Sequence, residues 1–198
     1  MTARTVSDES LDILFRNART FNAWQDKPVS DVTLHALFDL LKMAPTSANC
    51  SPARFIFVKG KEAKEKLKPS LAAGNIDKTM TAPVTAIIIN DYKFYDHLPK
   101  LFPHTDARAW FVGNQKMIDD TAFRNGTLQG AYLMMAARSL GLDCGPMSGF
   151  DADAVKQAFF ADKPDWHANF LCNIGYGDAT GMHPRSPRFD FSDVCEIV

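Results

Sequence analysis

The sequence predicts one globular domain that mixes α-helices with buried β-strands, and three observations predict it. Five stretches read as helices, three short runs are β-branched or almost wholly apolar, and no linker, repeat or change of composition divides the 198 residues. That length supports a sizeable core. A content of 46% hydrophobic and 23% charged residues is the balance of an ordinary soluble domain. The formal charge of −1 provides no global attraction for nucleic acid or for an anionic membrane. No apolar run approaches the roughly 18 residues of a membrane span and no signal-peptide core opens the chain, so the expectation is a cytoplasmic protein without membrane contact. Cys50, Cys144, Cys172 and Cys195 lie far apart with no C-x-x-C, which argues against a disulfide framework or a zinc site and for a reducing compartment.

The helices and strands follow from local chemistry. Residues 8–18 place Leu11, Leu14, Phe15 and Ala18 at helical spacing. Arg19-Thr20-Phe21-Asn22 then offers a guanidinium, a hydroxyl and an amide that can share one phosphate, or else a solvated helix end. Pro28-Val29-Ser30-Asp31 is a turn and N-cap that opens a helix running to Met43. Leu34, Leu37, Phe38 and Leu41 form its apolar stripe, Pro45 stops it, and His35 falls on its surface. Between Pro45 and Pro52 the residues are small and polar, including Thr46, Ser47 and Asn49. Such a loop lets hydroxyls, an amide and backbone N–H groups approach a flat polar ligand, or simply joins the helix to a strand at 54–58.

Gly60 begins a Lys/Glu-rich helix to Lys68, read as a solvated face. Asn75 and Lys78 stand three residues apart, on one face if helical. The run Pro83 to Asn90 predicts a strand buried on both faces. Residues 91–113 are irregular and rich in aromatics, a composition that covers core or a ligand pocket. Arg108, the only arginine there, suits an acidic substrate or a structural ion pair. From Asp119 to Leu140 the spacing predicts the longest helix, with Leu128, Tyr132, Met135 and Ala136 aligned, Gly126 and Gly130 permitting close helix packing as in a dimer core, and Gly141 as C-cap. Residues 142–150 read as a second small-residue loop in which Met147 can pack on an aromatic face. Asp151 caps a short helix at 152–160, and Phe170 to Ile174 is another buried strand.

Gly175-Tyr176-Gly177 imitates a dinucleotide-binding turn, but the third glycine is misplaced and Pro184 and Pro187 cannot open a helix. The same tail instead sets Arg185 and Arg188 on a proline-stiffened segment suited to an anion, and 189–198 reads as extended. There is no G-x-x-x-x-G-K-[ST], G-x-S-x-G or H-E-x-x-H, and the five histidines do not pair with cysteines or carboxylates at metal spacing. No metal and no protein nucleophile is expected. The reactive group is to be sought in a cofactor.

Three of these features together resemble the FMN-dependent nitroreductase family: Arg19-Thr20-x-Asn22, the loop Ala44-Pro45-Thr46-Ser47-Ala48-Asn49-x-Ser51-Pro52, and Gly145-Pro146-Met147-Ser148-Gly149. Ser51 and Ala53 stand where that family usually has Gln and Trp, a departure similar to its RutE/HadB subgroup. Leu101-Phe102-Pro103-His104, Asp106-Ala107-Arg108, Thr121-Ala122-Phe123-Arg124-Asn125 and Asn173-Ile174-Gly175-Tyr176-Gly177-Asp178 match that subgroup as well. The resemblance implies a single α+β domain over 1–198, with a central, mostly antiparallel sheet flanked by helices, in an intertwined homodimer carrying FMN at its interface. It implies phosphate contacts from Arg19, Thr20, Arg185 and Arg188, with Asn22 where many relatives have a basic residue. Thr46, Ser47 and Asn49 would reach the flavin from the partner subunit, Met147, Ser148 and Gly149 would lie along the ring, and Asn75 and Lys78 would meet its pyrimidine edge.

The implied activity is reduction of malonic semialdehyde to 3-hydroxypropanoate in pyrimidine catabolism. NAD(P)H is the electron donor, and the reaction is ping-pong through N5 of FMN with no catalytic side chain; Arg108 is the candidate contact for the substrate carboxylate. A broad NAD(P)H nitro- or quinone reductase and a non-enzymatic FMN-binding protein are the alternatives.

Overall fold

A computed structural model describes residues 4–180 and 182–198. Its centre is a four-stranded antiparallel sheet in the order β1-β2-β4-β3, formed by β1 (Ala53–Lys59), β2 (Val84–Asp91), β3 (Asp143–Met147) and β4 (Trp166–Gly175). Every residue of β2 is buried. Its side chains alternate: Ala86 and Ile88 join one core and Ile87 and Ile89 the other, the period of two that a strand between two layers requires.

On the first face lie α2 (Asp31–Leu41) and α6 (Gln115–Ser139), with Leu37, Leu41, Leu133 and Ala137 fully buried against Ala86 and Ile174. The second face is covered by α3 (Gly60–Leu67), the short α4 (Ile76–Thr81) and α7 (Ala152–Phe159), which bring Leu67 and Val155 onto Ile87 and Leu171. The expected α+β arrangement is therefore present. The 91–113 segment folds into short helical turns, including α5 (Leu98–Leu101), and builds a third core in which Phe94, Tyr95, Leu98 and Phe111 pack on Cys50, Ile118 and Ala122. It covers core of its own making, and its Trp110 and Phe111 also line a cavity.

Five readings change in the structure. The helix read over 8–18 is a short α1 (Asp8–Leu11) continued by one π-helical turn, Asp12–Arg16, and Phe15 is exposed. Residues 143–147, read as part of a loop, are strand β3, because β4 offers them an unpaired edge. The long helix starts at Gln115 and seats a different face from the one expected. Gly126, Gly130, Asn125, Gln129 and Leu133 face inward, while Leu128 and Tyr132 are exposed. The glycines serve close packing of helix on sheet: a Cβ at Gly126 would come within 1.9 Å of Asn90 Oδ1. In α3, Lys64 is only 3% exposed, so that helix is not solvated all round. At the end of the chain, 189–198 is not wholly extended, since Phe191–Val194 form a short helix, α8, with a capping box at Asp190 and Asp193.

Candidate functional site

The two ends of the chain meet. Residues 20–24 run beside β3: Thr20 bridges Cys144, the Phe21 N–H donates to the Cys144 carbonyl at 3.0 Å, and Trp24 bridges Gly177. This strip carries Arg19, Thr20 and Asn22 to the segment after β4, where they line a cavity of about 390 Å³ with Asp178, Thr180, Arg185 and Arg188. Arg19 donates to the His183 carbonyl at 2.5 Å, and Arg185 donates to the carbonyls of Arg16 and Ala18 at 2.7 and 3.0 Å. Arg188 donates to the carbonyls of Ser186 and Pro187. A fourth guanidinium, Arg138 from the last turn of α6, also lines the cavity and was not foreseen.

None of these four arginines has a carboxylate within 4 Å among the described residues, and the one acid in the lining, Asp178, accepts from the Thr180 N–H instead. Guanidiniums held by backbone carbonyls and left without counter-charge are a ready anion site. All four of the residues expected at a phosphate are here, together with Asn22.

The ring-side candidates form a second group. Asn75 caps α4 and donates from Nδ2 to the Gly149 carbonyl at 2.7 Å. A Cβ on Gly149 would lie 2.6 Å from that Nδ2, so the close approach needs glycine. Lys78 sits in α4, one turn from Asn75; its carbonyl accepts from Trp24 Nε1 at 2.9 Å and from Asn173 Nδ2 at 3.1 Å. Met147 ends β3 buried, its sulfur accepting from the Thr79 hydroxyl, and Ser148 is exposed beside it. The Met147 side chain belongs to the second core, in one cluster with Leu71, Ile87 and Leu171.

The third group is the 46–52 loop, and its backbone is strained. Ala48, Asn49 and Ser51 have φ of +49°, +49° and +39°, the left-handed region that costs non-glycine residues about 1–2 kcal/mol each. Two buried amides on α6 hold the loop: Asn125 Oδ1 accepts from the Ser47 N–H at 2.9 Å and Gln129 Oε1 from the Ala53 N–H at 2.8 Å. Thr46 Oγ1 accepts from the Ser51 N–H at 3.1 Å, and Asn49 Nδ2 donates to the Leu101 carbonyl at 2.9 Å. Arg54, paired with the buried Asp91 at 2.7 Å, also clasps the carbonyls of Ser51 and Ala53. Burial pushes the Cys50 thiol up to about 11, so it stays protonated at neutral pH and is no nucleophile.

This loop borders other cavities. One, of about 500 Å³, is lined by Ser47, Ala48, Trp110, Phe111, Met117 and Arg124 among others. Arg124 has no carboxylate within 4 Å among the described residues. Arg108 lies outside that lining; its Nε donates to Asp96 at 2.8 Å and its guanidinium sits over the Tyr95 ring, the structural ion pair that was its alternative reading. Asp120 in the same cavity is held below the usual carboxylate range by its hydrogen bond from Lys116.

Residues 16–176 match the model of the nitroreductase family. The chain belongs to that family. A Burkholderia lata protein with the provisional name NADH dehydrogenase/NAD(P)H nitroreductase is 63% identical over 193 residues, covering 98% of each chain. A Ralstonia nicotianae protein with the same kind of provisional name is 54% identical, covering 98% of this chain and 99% of its own. In fold, the chain matches an Exiguobacterium sibiricum nitroreductase solved in complex with FMN at a TM-score of 0.86, with 22% identity over the whole of both chains.

Proposed function

We propose that this member of the nitroreductase family binds FMN and uses NAD(P)H to reduce a small carbonyl acid, malonic semialdehyde, to 3-hydroxypropanoate, as a step of pyrimidine catabolism in the cytoplasm. The observation that carries the cofactor is the cluster of Arg19, Arg138, Arg185 and Arg188, four guanidiniums without a carboxylate partner around one cavity. That charge fits a phosphate monoester dianion, with Thr20 and Asn22 at hand as neutral donors. The Gly149 cradle beside Asn75 fits a flat ring edge, and Lys78 supplies a cation where negative charge develops on reduction. FMN, when bound, supplies the hydride acceptor and donor at N5.

The working unit in this reading is a homodimer. Thr46, Ser47 and Asn49 line none of the arginine cavity of their own chain, so they are available to a second copy's cofactor. Phe123, Leu128 and Tyr132 on the outer face of α6 are exposed, as are Phe189, Phe191, Val194 and Ile197 on the tail. These apolar surfaces fit a partner chain embraced by that tail.

For the substrate, Arg124 is the better carboxylate contact than Arg108, because Arg108 is already paired with Asp96. Asp120 stays ionised beside Lys116 and is a poor proton donor, so water supplies the final proton. Arg124→Leu should raise KM for the semialdehyde at least tenfold, while Arg108→Leu leaves it within about twofold.

The test begins with the absorbance of the purified protein and its response to anaerobic NAD(P)H. A flavin band that bleaches, and returns on adding malonic semialdehyde with formation of 3-hydroxypropanoate, supports the reading. A colourless protein that does not take up added FMN overturns it. Bleaching that only nitroaromatics or quinones reverse favours the second reading, a broad NAD(P)H nitroreductase, to which the names of the relatives point.

A further inference from the structure

Lys64 is a buried amine outside both the arginine cavity and the 46–52 loop. It sits in α3, 3% exposed, facing the sheet with Leu67. Nζ donates to the Thr79 carbonyl at 2.9 Å and to Thr85 Oγ1 at 2.5 Å; no carboxylate lies within 4 Å among the described residues. From there the hydrogen bonds continue in one direction. The Thr85 hydroxyl donates to Asn173 Oδ1 at 2.6 Å. Asn173 Nδ2 donates to the Lys78 carbonyl at 3.1 Å and to Thr79 Oγ1 at 3.3 Å. The Thr79 hydroxyl ends the relay on the sulfur of Met147 at 3.5 Å.

A buried lysine without an acid partner is expensive, because the charge loses its water and gains no opposite charge. An aliphatic side chain would fill the space at lower cost. What the amine does instead is specific. It takes a free carbonyl at the end of α4, while Asn173 and Trp24 take the carbonyl before it. It also orients the Thr85 hydroxyl, which fixes the Asn173 amide, which fixes Thr79. Every branch of the relay ends on the segment bearing Asn75 and Lys78 or on Met147.

We propose that Lys64 is a positioning residue for the flavin edge, acting through Thr85, Asn173 and Thr79 to hold Lys78 and Met147 in the arrangement that binds the ring. The proposal rests on the FMN reading of the site. A six-residue helix such as α4 has little stability of its own. Without the amine, the Thr79 carbonyl and Thr85 hydroxyl lose their donor, and α4 is free to shift its lysine away from the ring. The cost should appear in the cofactor, beyond any effect on the fold.

The experiment compares Lys64→Met, Thr85→Val and Thr85→Ser with the wild-type chain, each folded as judged by circular dichroism. FMN affinity of the apoprotein is read by flavin fluorescence, the midpoint potential by anaerobic titration, and amide exchange at residues 76–81 on the apoprotein. Lys64→Met and Thr85→Val should each weaken FMN about tenfold and lower the potential, as expected for one charge-linked hydrogen bond. The double variant should be no worse than either, since both break one relay. Thr85→Ser, which keeps the hydroxyl, should restore both readings. If Lys64→Met does not fold, the Thr85 pair decides alone. Unchanged affinity, potential and exchange in Thr85→Val would overturn the proposal while leaving the FMN reading intact. A wild-type chain that binds no FMN would overturn the reading itself.

Discussion

The arginine cavity and the 46–52 loop are the two halves of the candidate site, and they are made by opposite means. The cavity is a charge site: four guanidiniums line it without an acid partner, each fastened to backbone carbonyls. The loop is a backbone site: three residues are forced into the left-handed region and held there by amides reaching out of α6. Charge recognises a phosphate at any angle within a fork's reach, whereas a preset backbone recognises a planar edge in one orientation. The two do not share a cavity within a single chain. One ligand with a phosphate at one end and a ring at the other would join them across two chains.

The largest effect should come from the charge half. Removing two guanidiniums in Arg19→Ala/Arg185→Ala costs about 1.5–3 kcal/mol for each charge-assisted hydrogen bond to the phosphate, so with one such bond from each arginine FMN should bind about a hundred- to ten-thousandfold more weakly. Riboflavin, which lacks the phosphate, should bind as it does to the wild type. Fluorescence titration with the two ligands reads the difference, and an equal weakening of both would erase the distinction between the halves.

Next comes the backbone half. Gln129→Leu leaves the buried Ala53 N–H without its acceptor, which costs about 1–3 kcal/mol in urea unfolding. Here FMN and riboflavin should weaken together, the reverse of the arginine pattern.

A third prediction concerns pH. Burial pulls the Lys64 ammonium down to about 7 from 10.5. Between those values the unfolded chain carries the proton and the folded one does not, so stability rises with pH. It does so because the folded state gives up the charge it cannot hydrate: the penalty is complete below about pH 7 and fades toward pH 10.5. Lys64→Met should lack this slope when both are unfolded in urea across that range. A fully parallel pair of curves would mean that Lys64 is not desolvated.

The smallest effect belongs to the strain. Ala48→Gly removes a left-handed non-glycine residue, a relief offset in part by the greater freedom of the unfolded chain, and should stabilise the protein by about 0.5–1 kcal/mol. Riboflavin affinity should fall slightly as the loop loses its preset shape. A destabilised variant would show that the strain is not where the backbone places it.

Much of this was legible in the sequence, for reasons that particular residues make plain. The run from Val84 to Asn90 is β-branched and nearly all apolar, the composition of a strand covered on both faces, and β2 is that strand. Arg185 and Arg188 were readable as anion ligands from the proline-stiffened segment that carries them, and Arg19 and Thr20 became so through the family resemblance; all four line one cavity. Arg138 was hidden, since one arginine in the last turn of a 25-residue helix looks like a helix-end charge. Asn125 and Gln129 were missed because Leu128 and Tyr132 drew the eye to the outer face. The Ala122, Gly126, Gly130 and Ala137 stripe was the better signal, since a helix that sits close to a sheet turns small residues inward. Lys64 could have been found from its spacing with Leu67 and Leu71, an apolar face that continues through a charged run.

The most direct test mixes two broken chains. One carries Arg19→Ala/Arg185→Ala and keeps its loop; the other carries Thr46→Ala/Asn49→Ala and keeps its arginines. Coexpressed with different tags and purified as the mixed dimer, they are titrated with FMN. If each flavin lies between the arginines of one chain and the loop of the other, one site is broken twice and the other is whole, so the mixed dimer should bind one FMN with wild-type affinity. If both halves serve a cofactor within one chain, every site is damaged, and a mixed dimer with no tight FMN would contradict the account.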